Sequence, residues 1–170
     1  MKGKYIQDVK NLIAQKRSKA IGFLMSGGTN EIRKELLNNI LESLQDTNGV
    51  TVEHIDLEQF VFEDAKLEAI KRQQLKFKHF TEEQQTKVLI LESIDTFSSY
   101  TMEVVKLLIS CQNLGINLLF SSKSSLVHLV GLSEFIIRVT PSKDVYSDVY
   151  RLNKQKTLFT LKDSEVIKDI

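Results

Sequence analysis

Gly27, Gly28, Thr29, Asn30, Arg33 and Lys34 stand where a chain could handle phosphate. They follow the apolar run Ile21 to Met25 and lead into a helical pattern, in "IGFLMSGGTNEIRKELLNNI". A strand, a Gly-rich turn and a helix, in that order, let backbone N–H groups at a helix N-terminus cradle phosphates. The full signature G-x-x-x-x-G-K-[ST] is absent. With Gly27 on its first glycine, Ile32 falls on the second, Arg33 on the lysine and Lys34 on the Ser/Thr. A branched side chain resists the backbone conformation that the second glycine permits. An arginine can still meet a phosphate, but a lysine cannot replace a hydroxyl on magnesium. The plain structural reading is a turn at "SGGTN" with Thr29 or Asn30 capping the helix. Beyond that, the stretch offers at most weak anion binding at the helix N-terminus.

A second candidate is "LILESID". A P-loop ATPase ends such a strand with an aspartate for Mg²⁺ and often a glutamate that orients the attacking water. Glu92 holds the first acidic position and Ser93 replaces the second, with Asp95 two residues further on. Serine takes no proton from water near neutral pH, so general-base work is lost. A third candidate is "NLLFSSK", where Ser121 and Ser122 end an apolar strand at a position many ATPases use to sense the γ-phosphate. A serine there also serves as a simple strand exit. His54, His79 and His128 show no metal-ligand spacing, and no metal site is expected. Cys111, the single cysteine, reads as core. Lys71, Arg72, Lys76 and Lys78 lie in a charged stretch that reads as a solvated helix and could touch an acidic partner.

The elements that must position these residues alternate. Ile6, Val9, Leu12 and Ile13 form a helical stripe over 5–17, and Ile32, Leu36, Leu37, Ile40, Leu41 and Leu44 form another over 31–44. The leading stripe has the spacing of a face buried on its own domain. "VTVEHID" after the turn "DTNG", "KVLILESID", "INLLFSS" and "FIIRVT" read as strands. Helices are predicted from Phe62 to Phe80 with Ala65, Ile70 and Phe77 inward, and over 98–112 with Met102, Val105, Leu108 and Ile109 inward. A short helix over 124–132, a helix over 143–152 and a hairpin turning near Asp163 and Ser164 complete the pattern. Pro141 ends the strand before it. Strands alternating with helices argue for a mainly parallel sheet covered on both faces.

Composition adds limits. The chain of 170 residues can bury a sizeable core, and 42% hydrophobic with 26% charged residues is an ordinary globular balance. A net charge of +1 gives no overall field for nucleic acid, so any DNA contact is expected to be indirect. One cysteine allows no internal disulfide and no cysteine-rich zinc site. No stretch has the ~20 apolar residues of a membrane span, and the charged N-terminus does not suit a signal peptide. A cytoplasmic protein is expected.

The order of segments resembles AAA+ clamp-loader subunits. The helix leading into "KAIGFLMSGG" is similar to their start. "DAKLEAIKRQQLKFKHFTEEQQTKVLILESID" is similar to their helix, loop and acidic strand, and "TMEVVKLLIS" to their helix with a leucine pair. "LLFSSKSSLVHLVGLSEFIIRVTPS" resembles their sensor strand, short helix and next strand. The nearest likeness, over 5–142, is the delta-prime subunit family of the bacterial DNA polymerase III clamp loader, some members of which lack a working P-loop and serve as a stator. The family's Ser-Arg-Cys motif would fall on Leu132, Ser133, Glu134 and Phe135, and glutamate cannot stabilise a phosphoryl transition state. The family's zinc-module cysteines and its Leu-Glu-Glu-Pro-Pro stretch are missing. The chain is also expected to be too short for the helical lid and collar. "CQNLGINLLFSSK" and the tail "DVYSDVYRLNKQKTLFTLKDSEVIKDI" resemble instead the last, degenerate ATPase module of type VII secretion coupling ATPases, relatives of the DNA-translocase ATPases.

The resulting expectation is a three-layer, P-loop-like α/β domain over 1–142 with a short extension over 143–170 packed on it. It would hydrolyse no ATP, hold no cofactor, and act through protein subunits of a larger assembly.

Overall fold

The computed structural model describes residues 4–14, 20–79, 85–98, 101–123, 132–133, 135–140 and 156–162. Four α-helices, α1 (Lys4–Ala14), α2 (Asn30–Gln45), α3 (Glu63–Lys78) and α4 (Thr101–Asn113), are described with six strands. The strands are β1 (Gly22–Gly27), β2 (Val50–Asp56), β3 (Thr86–Glu92), β4 (Ile116–Ser122), β5 (Phe135–Thr140) and β6 (Lys156–Lys162). They form one sheet in the order β2-β3-β4-β1-β5-β6, and every neighbouring pair is parallel. This is the α/β class that the alternating pattern predicts.

Strand side chains alternate between two cores, as the period of two requires. Phe23, Met25, Val88, Ile90 and Leu119 point to a core shared with Ile6, Val9 and Ile13 of α1 and Leu36, Leu37, Ile40 and Leu44 of α2. Leu24, Leu89, Leu91, Leu118 and Phe120 point to the other, shared with Leu67, Ile70 and Phe77 of α3 and Val104, Leu107, Leu108 and Cys111 of α4. Helices therefore cover both faces. The continuous apolar runs of β1, β3 and β4 follow from their central places in the sheet.

α2 starts where Thr29 caps it: the Thr29 hydroxyl accepts the Ile32 N–H at 3.2 Å. The cap satisfies one of the donors that a helix N-terminus leaves free.

Two inward faces differ from expectation. In α4 the buried residues are Val104, Leu107, Leu108 and Cys111, whereas Met102 is 65% exposed and Ile109 is also exposed. The run from Met102 to Cys111 is apolar over more than one stripe, and the sheet below selects the phase. In α3, Ile70 and Phe77 are buried as expected, but Lys66 and Leu67 take the place given to Ala65, which is half-exposed. Lys66 reaches the carbonyl of Thr96 at 3.2 Å and lies over the Phe97 ring. Its charge thus ends on a polar group while its stem packs inside.

In the tail one strand is described. β6 pairs in parallel with β5, from Phe135 opposite Lys156 to Thr140 opposite Lys162, with a register shift between Ile136 and Ile137. The turn near Asp163 and Ser164 and the second arm of the predicted hairpin, the helix predicted over 143–152, and all but the last residue of the helix predicted over 124–132 lie outside the described residues.

Candidate functional site

The place to look for a ligand in an open parallel sheet is the carboxyl end of neighbouring strands whose chains leave toward opposite faces. β1 and β4 are such a pair. After β1 the chain enters α2 on one face, while Leu132, which follows β4, belongs to the core on the other. Gly27, Gly28, Ser121 and Ser122 all lie at this edge, and Ser26 stands opposite Ser122 in register.

The turn after β1 is built by glycine conformations. Gly27 and Gly28 have φ of +88° and +62°. A Cβ on Gly27 would lie 2.2 Å from the Val139 carbonyl oxygen, so the neighbouring strand β5 excludes any side chain there. The need for glycine at 27 is thus met by the sheet itself, without a ligand.

Arg33 fills the turn. Its side chain is buried, with the residue 6% exposed. Nη1 donates to the carbonyl of Gly27 at 2.6 Å and to that of Gly28 at 2.9 Å. Burial pulls the guanidinium below its ordinary pKa, and Asp95 and Glu58 act in the opposite sense. A phosphate loop presents N–H groups to its anion; here two carbonyl oxygens converge on an internal cation. Lys34, beside it, pairs with Asp56 at 3.3 Å and Glu58 at 3.7 Å. The hydrogen bond with Asp56 raises the Lys34 pKa above its usual value. Asn30 is the exposed first residue of α2.

Glu92 is buried, and its Oε2 lies 2.5 Å from His54 Nε2 on the adjacent strand. Asp56 stands opposite Glu92 in the β2–β3 register. Ser93 turns the chain out of β3 in the left-handed region, φ 60° and ψ 48°, which is costly for a residue with a Cβ. Its N–H donates to Ser121 Oγ at 2.9 Å, and its carbonyl accepts from Thr96 Oγ1 at 2.8 Å. Asp95 Oδ2 accepts the Lys123 N–H at 3.2 Å, and the Gly27 N–H donates to the Lys123 carbonyl at 3.3 Å. The exits of β1, β3 and β4 are therefore stitched together. The sequence-predicted residues do gather at one edge, with their polar groups largely joined to one another or to neighbouring backbone. Among the described residues no group of three or more His, Cys, Asp or Glu side chains is placed to hold a metal ion.

With that geometry in hand, comparison with known proteins gives a relative. The chain is 32% identical over 163 residues to the uncharacterized protein pXO2-33 of Bacillus anthracis, a match that spans 96% of this chain and 92% of the relative. The chain belongs to its family. No family model matches the chain. The match runs through nearly the whole length of both proteins.

Sequence reasoning set His54 aside as surface or satisfied, and it passed over Asp56, Glu58 and Asn117. The first three matter through partners on other elements, which no local spacing reports. Asn117 joins three segments: its Oδ1 accepts the Ile21 N–H at 2.9 Å, and its Nδ2 donates to the Lys87 carbonyl at 3.0 Å. Asn117→Leu is expected to lower stability by about 1–3 kcal/mol, since it leaves a donor and an acceptor of the backbone without partners. Urea denaturation with an unchanged slope and a lower midpoint would show it. Cys111, fully covered, has its thiol pKa pushed up to about 12 by burial, which suits an inert core residue. No described helix is long and apolar enough to cross a membrane.

Proposed function

We propose that this chain is an ATPase-like module that performs no nucleotide chemistry and works by protein–protein contact inside a larger assembly. The observation that carries the reading is the Arg33 guanidinium seated on the Gly27 and Gly28 carbonyls. It occupies the turn that a phosphate would need, and the turn offers it oxygens. Ser93 at the second acidic position agrees, because it supplies no base and its N–H is committed to Ser121. The role that follows is that of a scaffold subunit.

Two settings remain for such a subunit. In a clamp loader of the delta-prime kind it would act as a stator in DNA replication. In a type VII secretion coupling ATPase it would be a degenerate module that binds secretion partners. The parallel β6, added beside β5, favours the second setting, since a helical lid would place no strand there. Co-purification with other loader subunits, or with the adjoining ATPase module, separates the two.

The test of the shared reading is a thermal melt and a phosphate-release assay with millimolar ATP and Mg²⁺. A ligand at about 100 times its Kd stabilises a protein by about 2.7 kcal/mol, well within reach of a melt. The expected result is no shift and no turnover. A clear shift with ATP that Arg33→Ala removes would overturn the reading.

A further inference from the structure

β2 is the outermost strand at one end of the sheet, and among the described residues no strand covers its outer edge. Such an edge is a template for a further strand unless something blocks it. Beside it, between β2 and α3, opens a cleft of about 250 Å³. His54, Asp56, Phe60, Arg72 and Gln73 are among the residues that line it. Directly after Phe60 come Val61, 86% exposed, and Phe62, 74% exposed. Large apolar side chains held this far in water, next in the chain to a residue that lines a cleft, mark a contact surface.

The polar groups of the cleft say what the occupant must carry. Asp56 shares Lys34 with Glu58, and His54 faces Glu92. Arg72 is exposed and has no carboxylate partner among the described residues. The neighbouring Lys71 is also exposed and without one. Among the described residues that line the cleft, Arg72 is therefore the charged side chain without an opposite partner. Gln73 Oε1 is buried and accepts no hydrogen bond, so a donor is wanted there. The volume is below the ~300 Å³ at which small-molecule sites begin, and suits one or two side chains. We propose that the β2 edge and its cleft dock an extended segment of a partner protein, which seats an apolar side chain beside Phe60 and sets a carboxylate on Arg72. Backbone pairing along a free edge supplies the affinity in such a mode, and the pockets supply the choice of side chains.

This site rests on the reading of the chain as an assembly module and names the face through which it assembles. The probe is a short synthetic peptide with Val-Thr-Glu-Thr at its centre, which sets Val and Glu on one face of an extended strand, compared with versions carrying Gln or Lys in place of Glu. Binding is followed by fluorescence anisotropy and by hydrogen exchange of the full chain. The acidic peptide is expected to bind about tenfold or more tightly than the Gln version and to slow exchange along β2. Arg72→Glu is expected to reverse the preference toward the Lys peptide, and Val61→Ser with Phe62→Ser to weaken all versions. Equal binding of the three peptides, no binding, protection elsewhere, or indifference to Arg72→Glu overturns the proposal. So does sedimentation showing a dimer that Val61→Ser and Phe62→Ser dissolve, which would make a second copy the occupant. The ATP melt reports separately: a silent melt with no peptide binding removes this site alone, whereas an ATP response removes the assembly reading itself.

Discussion

Deletion of residues 1–17 is expected to lower the stability of the chain by about 5 kcal/mol or more. Ile6, Val9 and Ile13 of α1 are buried against Leu36, Leu37, Ile40 and Leu44 of α2 and the strands beneath. Each fully buried aliphatic side chain contributes about 1.5–3 kcal/mol, and the deletion also bares the α2 surface that they cover. A domain of this kind has about 5–15 kcal/mol in all, so the shortened chain should be largely unfolded or close to it. Ile13→Ala alone should cost about 2–5 kcal/mol. Urea denaturation of the three forms, read by far-UV circular dichroism, orders them directly. An unchanged midpoint for the deletion would mean that α1 does not close the core, and that its apolar stripe serves a partner instead.

Arg33→Met is expected to lower stability by about 3 kcal/mol without creating an ATP response. The guanidinium gives the Gly27 and Gly28 carbonyls charged donors at 2.6 and 2.9 Å. Hydrogen bonds to charged groups contribute about 1.5–3 kcal/mol each, and a buried acceptor left alone keeps its desolvation cost. Methionine preserves much of the side-chain volume, so the loss reports the polar contacts more than a cavity. The midpoint in urea should fall with little change in slope. Stability equal to that of the parent chain would show that water serves the two carbonyls as well as Arg33 does. A variant that gained an ATP-dependent melting shift would show a phosphate site held shut by Arg33, a different protein from the one proposed above.

Local signals carried much of the fold. Apolar runs bounded by turn residues marked β1, β3 and β4 because a strand buried on both faces needs no polar positions, whereas the turn "DTNG" before it marked the edge strand β2. The spacing of Leu36, Leu37, Ile40 and Leu44 marked α2, and Thr29 marked its start, because a cap acts on N–H groups within the same turn. α4 was legible as a helix but not in its rotation. Met102, Val105 and Ile109 make one apolar stripe and Val104, Leu107, Leu108 and Cys111 another, and only the sheet beneath decides which is buried. β6 was legible as extended chain only. Whether such a segment turns back as a hairpin or adds to β5 depends on contacts far along the sequence, which turn chemistry does not encode.

The candidate site divides along the same line. The residue types by themselves determined that Lys34 offers no hydroxyl to a magnesium ion and Ser93 no general base, because those chemistries belong to side chains whatever the fold. They also determined a Gly-rich turn between a strand and a helix. The tertiary structure alone decided what became of the space. Arg33 turns onto the Gly27 and Gly28 carbonyls, Lys34 onto Asp56, and Glu92 onto His54, across separations of 5 to 38 residues. The physical reason is that a buried polar group must find a partner, and in a parallel sheet the partner stands on a neighbouring strand or on the helix above it, where the chain arrives only after folding.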